Sequence, residues 1–100
     1  MEFNKLQIRL WAEMLKSIER YRKGELNYSD LIYGLEGSLD AGEYQDKGLI
    51  GQWYDYWTPL EILSATKGDS TTIEDVNKYL SEMEMFLKSR YNFHFQKDEE

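Results

Sequence analysis

The sequence predicts an all-α protein, an antiparallel four-helix bundle whose third helix is kinked or broken near Pro59 and which ends in a short aromatic extension. Apolar residues recur at spacings of three and four, and turn and capping residues divide that pattern into four segments. The links are short, which favours antiparallel neighbours. We therefore expect a single helical domain over residues 1–96 and a frayed acidic tail over residues 97–100.

The first helix is predicted over residues 3–23, where one apolar stripe is formed by Phe3, Leu6, Leu10, Trp11, Met14, Leu15, Ile18 and Tyr21. Gly24 is a natural end for it. The second helix is predicted to begin at Asn27 and to end at Gly42, with a core stripe of Tyr28, Leu31, Ile32, Leu35 and Leu39. At about 100° per residue, Tyr33, Glu36, Gly37 and Asp40 then face water. Gly34 and Gly37 indicate close packing or a surface that a partner approaches.

The third helix is predicted over residues 46–57, capped by Asp46, with Leu49, Ile50, Trp53, Tyr56 and Trp57 on its inner face. The stretch from Thr58 to Glu61 has the signature of a new helix start, yet the apolar rhythm continues to about Thr66. This conflict predicts the kink or break near Thr58. Thr71 or Thr72 is expected to cap a fourth helix that ends near Arg90, after which Tyr91, Phe93 and Phe95 alternate with polar residues as an extended strip.

Several classes of site are not indicated. The chain has no cysteine, and its single histidine, His94, lacks the Glu-x-x-His context of a di-iron bundle. Neither glycine pair has the strand or the Lys-Ser/Thr pair of a phosphate loop. We therefore predict no catalytic residue, no metal and no cofactor. No apolar run approaches the roughly 20 residues that span a bilayer, so the expected location is the cytoplasm, without membrane association.

The charge is unevenly distributed along the chain. The formal net charge is −7, with a balance of +3 over residues 1–24, −7 over residues 25–64 and −3 over residues 65–100. Direct nucleic-acid binding is not expected, because phosphate contacts need clustered Lys and Arg. A field of this sign steers basic proteins toward the chain.

Acidic and aromatic residues interleave over residues 28–57. Exposed tyrosines beside carboxylates supply rigid contact area and charge-assisted hydrogen bonds to Lys and Arg. The other interpretation is an ordinary solvated acidic face. The predicted binding face consists of Tyr33, Glu36, Asp40, Glu43, Tyr44, Asp46, Tyr54 and Asp55.

Five stretches carry a resemblance: Tyr21-Arg22-Lys23-Gly24-Glu25-Leu26, Asp30-Leu31-Ile32, Leu35-Glu36-Gly37-Ser38-Leu39-Asp40-Ala41, Trp53, and Trp57-x-x-Leu60-Glu61. Over about residues 18–66, the chain resembles the small helical immunity proteins of bacterial polymorphic or contact-dependent toxin systems. The resemblance implies that the protein holds a cognate toxin domain, often a nuclease, in an inactive complex. No binding residue is carried over from it.

Two alternatives stay open. The same face could serve a regulatory or adaptor module for another basic protein, or an inhibitor that imitates nucleic acid. A small enzyme or ligand-binding bundle would instead use a pocket under Trp53 and Trp57.

Overall fold

A computed structural model describes the backbone of residues 3–95 and the side chains of residues 3–91. Within that range the all-α prediction is confirmed, with no strand, and the four helices are α1 (Lys5–Arg22), α2 (Tyr28–Gly42), α3 (Lys47–Lys67) and α4 (Ile73–Phe95). One turn of 3-10 helix, Gly68–Ser70, joins α3 to α4. The helix α1 packs against α2 and α4, and α3 packs against both of the same helices. These contacts are compatible with the predicted bundle.

Side chains fix the helix starts. The Asn4 carboxamide oxygen accepts from the Gln7 N–H at 2.8 Å while the Gln7 side chain accepts from the Asn4 N–H at 2.9 Å, which forms a capping box. The predicted caps of α2 and α3 are confirmed, because Asn27 accepts from the Asp30 N–H at 2.8 Å and Asp46 accepts from that of Leu49 at 3.0 Å.

The core is aromatic, and its polar atoms are satisfied. Trp11 and Trp53 are fully buried. The indole N–H of Trp11 donates to the Leu87 carbonyl at 2.9 Å, and the Tyr28 hydroxyl donates to the Leu60 carbonyl at 2.6 Å. Among the described residues, no buried side-chain nitrogen or oxygen lacks a hydrogen-bond partner. Each of these bonds ties two helices together through the core.

The helix α3 passes through Pro59 without interruption, so the predicted break is wrong, whereas the kink stays a prediction. Proline has no N–H, so the Asp55 carbonyl loses its usual helical donor. The adjacent turn is held in place because Trp57 and Leu60 are buried. Burial of this face offsets the cost of a proline inside a helix, which is about 3 kcal/mol because the ring also clashes with the preceding turn.

The predicted extended strip after Arg90 is also wrong, because α4 continues to Phe95. Tyr91 follows the buried Leu87 by four residues and packs against the core, so the helical period continues past Arg90. This packing overrides the alternating pattern that suggested an extended strip. The side chain of His94 and the predicted tail over residues 97–100 lie outside the part that the structure describes.

Candidate protein-binding surface

The side of α2 that faces away from the core carries the first part of the predicted binding face. Because Leu31, Ile32 and Leu35 are buried, Tyr33 and Asp40 point outward, as the sequence predicted. Tyr33 is the most exposed large apolar residue of the described chain, with 71% of its surface accessible.

Glu36 and Tyr54 join α2 to α3. The Tyr54 hydroxyl donates to a Glu36 carboxylate oxygen at 3.1 Å, and both side chains are half-buried. Partial burial, followed by the hydrogen bond to Glu36 and the negative charges of Glu36 and Asp40, raises the pKa of the Tyr54 phenol. The phenol therefore stays protonated and remains a hydrogen-bond donor to Glu36. We call the set Tyr33, Glu36, Asp40 and Tyr54 the α2–α3 acidic surface.

Most acids of residues 25–64 form no ion pair with a base in the part of the chain that the structure describes. Within the described residues, ion pairs shorter than or equal to 4.0 Å join Lys16–Glu13, Arg20–Glu25, Arg22–Glu84, Lys23–Glu19, Lys67–Asp75 and Lys88–Glu84. Of the eight acids in residues 25–64, this set includes Glu25 alone. The other seven have no such pair in the described structure: Asp30, Glu36, Asp40, Glu43, Asp46, Asp55 and Glu61. Their charge remains available to a cationic partner.

Two further members of the predicted face lie in the link between α2 and α3. Glu43 is exposed and adopts the left-handed conformation, with φ 48° and ψ 48°. Asp46 is half-buried and uses one carboxylate oxygen to cap α3. Glu43 thus extends the acidic region past the end of α2, while Asp46 is partly committed to the fold.

Tyr44 does not belong to the surface, and its assignment to the binding face was wrong. It is 6% exposed, and its hydroxyl donates to the Gln7 carbonyl at 2.8 Å. Its ring lies 5.0 Å from that of Phe3 and 5.6 Å from that of Trp11. Room for the ring exists because Gly42, two residues earlier, has no side chain: a Cβ there would lie 2.3 Å from the ring. Burial raises the pKa of Tyr44, so it remains a neutral core residue.

Asp55 is exposed but lies on the other side of α3. It lines depressions between α3 and α4 together with Tyr56, Tyr79 and Met85. On a helix, residues 54 and 55 point about 100° apart, which was already visible in the sequence. The structure therefore brings Glu36, Asp40 and Tyr54 together and separates Asp55 from them.

The indoles that a ligand pocket would need are packed instead against each other. Trp53 and Trp57 stack with their ring centroids 5.7 Å apart and their planes inclined by 21°. The N–H of Trp53 points to the Met14 sulfur at 3.4 Å, and that of Trp57 donates to the Ile32 carbonyl at 3.2 Å. These contacts give no support to the pocket alternative.

The α3–α4 depressions are what the sequence reasoning missed. Ile62 and Met85 are 56% and 70% exposed. Their positions outside the core stripes of the two helices were the available signal.

The fold and this surface define a small helical protein that presents unpaired carboxylates beside tyrosines. Comparisons with protein families, with curated proteins and with solved structures give no match. Over the described range, no group of three or more His, Cys, Asp or Glu residues is placed to hold a metal ion. Nor is any helix in this part of the chain sufficiently long and apolar to cross a membrane.

Proposed function

We propose that this protein binds a basic protein domain through the α2–α3 acidic surface, and that it is a cytoplasmic immunity protein which neutralises a cognate nuclease-type toxin domain. In this proposal it has no catalytic activity, and an antiparallel four-helix bundle is its scaffold. The observation that carries the binding proposal is that Glu36 and Asp40, neither of which forms an ion pair in the described structure, share the outward side of α2 with the exposed Tyr33.

The chemistry of a nuclease fits this surface. A nuclease presents Lys and Arg to the phosphates of its substrate, so a protein with unpaired carboxylates can occupy the same groups. Tyr33 adds an exposed ring that can pack against a guanidinium or an aliphatic stem. Long-range attraction also speeds the encounter, which is useful when the partner must be captured before it acts.

The immunity role predicts that the gene immediately upstream encodes a large protein, and it is tested by co-expressing the chain with the C-terminal domain of that protein. We expect the two to co-purify as a complex and the nuclease activity of that domain to be lost in it. Absence of a complex overturns the immunity role. Binding to a basic host protein instead would favour the regulatory alternative and leave the surface assignment in place.

The surface is tested by charge reversal. Glu36→Lys with Asp40→Lys should slow association about tenfold or more at low salt, because both charges lie in the proposed contact area. The matched control is Glu13→Lys with Glu82→Lys, two exposed acids on α1 and α4. Both double variants change the formal net charge from −7 to −3, two units for each reversal. Equal slowing by the two variants would show that net charge matters and the α2–α3 acidic surface does not.

A further inference from the structure

Exposed apolar side chains gather between α3 and α4. Seven large apolar residues are exposed in the described chain, and four of them, Tyr56, Ile62, Tyr79 and Met85, line two adjoining depressions of about 500 and 530 Å³. Asp55 lines both depressions and marks where they meet. We call this region the α3–α4 face. Exposed apolar side chains that gather on one surface are typical of a protein-interaction site.

Met85 is the projecting group of this face. It is 70% exposed, whereas Met14 and Met83 are fully buried. Beside it, Tyr56 stacks on Phe86 with ring centroids 5.0 Å apart and planes inclined by 25°, which gives the depression a rigid aromatic wall. A flexible thioether next to an aromatic-walled depression is a knob beside a hole on one surface.

Two side chains of opposite charge line the depression that contains Met85. Asp55 and Arg90 both line the depression that contains Met85, and neither takes part in an ion pair within the described structure. Arg90 instead donates to the Gln52 side chain at 2.6 Å and lies 5.8 Å from the centre of the Phe86 ring. The depression that contains Met85 is therefore lined by one acid and one base, and neither is in an ion pair among the described residues.

These features of the α3–α4 face indicate what kind of molecule binds it. In a two-fold dimer, the contact that residue i makes with residue j is repeated by j with i. A face with both a knob and a hole, and with both an acid and a base, is complementary to itself. A basic protein fits it less well than it fits the α2–α3 acidic surface, because here the negative charge is offset by Arg90.

We propose that the α3–α4 face binds a second copy of this chain in a two-fold dimer, with Met85 of each copy entering the depression of the other and Asp55 of each opposite Arg90 of the other. The α2–α3 acidic surface stays free, so the dimer has two partner sites.

The test is sedimentation equilibrium of the full chain over a range of concentrations. We expect a concentration-dependent dimer whose dissociation constant rises about tenfold or more in Met85→Glu, because the substitution puts a charge into an apolar contact. Tyr33→Glu is the matched control, an equally exposed apolar residue on α2 that should leave the dimer unchanged. Far-UV circular dichroism checks that each variant is folded.

A charge exchange tests the proposed geometry. Asp55→Arg and Arg90→Asp should each weaken the dimer, and the double exchange should restore it. A monomer at every concentration, equal weakening by Tyr33→Glu, or a double exchange no better than the single ones overturns the proposal. None of these outcomes bears on partner binding at the α2–α3 acidic surface.

Discussion

Replacing Gly42 by Ala should destabilise the protein, although alanine is the better helix former. The new Cβ would lie 2.3 Å from Cε2 and 2.7 Å from Cζ of the Tyr44 ring. The ring is not free to move aside, because its hydroxyl donates to the Gln7 carbonyl and the ring makes edge-to-face contacts with Phe3 and Trp11. Either the end of α2 or the ring must therefore shift.

The sizes of three opposing contributions decide whether the substitution raises or lowers the free energy of unfolding. Helix propensity favours Ala over Gly by up to about 1 kcal/mol. Two effects lower the stability: a weakened Tyr44–Gln7 hydrogen bond costs about 1 kcal/mol, and forcing atoms into a filled space costs about 1–3 kcal/mol. The net loss in the free energy of unfolding is about 1–3 kcal/mol, which lowers the melting temperature of a domain of this size by about 5–20 °C. Thermal and urea unfolding followed by circular dichroism measure it.

Gly37→Ala is the matched control on the same helix. Apart from its chain neighbours and the backbone of its own helix, no heavy atom lies within 4 Å of a Cβ added there, so packing against other elements does not explain this glycine. The substitution should raise the free energy of unfolding by about 0.5–1 kcal/mol. If Gly42→Ala proves as stable as Gly37→Ala, the packing of Tyr44 described above is wrong.

Two further predictions concern single hydrogen bonds and pH. Tyr28→Phe should lower the free energy of unfolding by about 1 kcal/mol, because it removes the bond to Leu60. Burial raises the pKa of the Tyr28 phenol. The stability that the protonated phenol contributes is therefore complete below the ordinary tyrosine pKa of about 10 and is lost as the pH rises toward the raised value. Urea titrations at increasing pH should show that the free energy of unfolding declines less steeply in Tyr28→Phe than in the parent protein. The backbone N–H of Ser29, followed by its hydroxyl, lowers the pKa of the Asp69 carboxyl. The stability that this carboxylate contributes is present above the ordinary aspartate pKa of about 3.9 and is lost as the pH falls through the lowered pKa. Asp69→Asn should therefore flatten the acid side of the stability profile, and an unchanged acid slope would contradict this assignment.

The helix starts were predictable because they depend on local chemistry. Asn27 and Asp46 bond to backbone N–H groups three residues ahead, and this spacing is written in the sequence. The behaviour of Pro59 and the end of α4 were not predictable in this way. They depend on what the buried Leu60 and the partly buried Tyr91 contact in other helices, and a local pattern does not contain those contacts.

The residues of the candidate surface also differ in whether the sequence could predict their position. The helical period placed Tyr33 and Asp40 outward, since it applies throughout α2. Tyr44 follows the end of that helix, where the period no longer applies and the neighbouring Gly42 determines its position. The bond between Glu36 and Tyr54 joins residues 18 positions apart, so it required the packing of two helices.

The link after α2 has a consequence for anyone who would engineer this protein. A left-handed backbone conformation costs a residue with a side chain about 1–2 kcal/mol, and glycine avoids that cost. The chain nevertheless carries Glu43 there, next to the end of a helix rich in carboxylates. Replacing it by glycine would make the fold sturdier and at the same step remove a negative charge beside the proposed contact area. At this position, a substitution that increases the stability of the fold therefore reduces the attraction for a cationic partner.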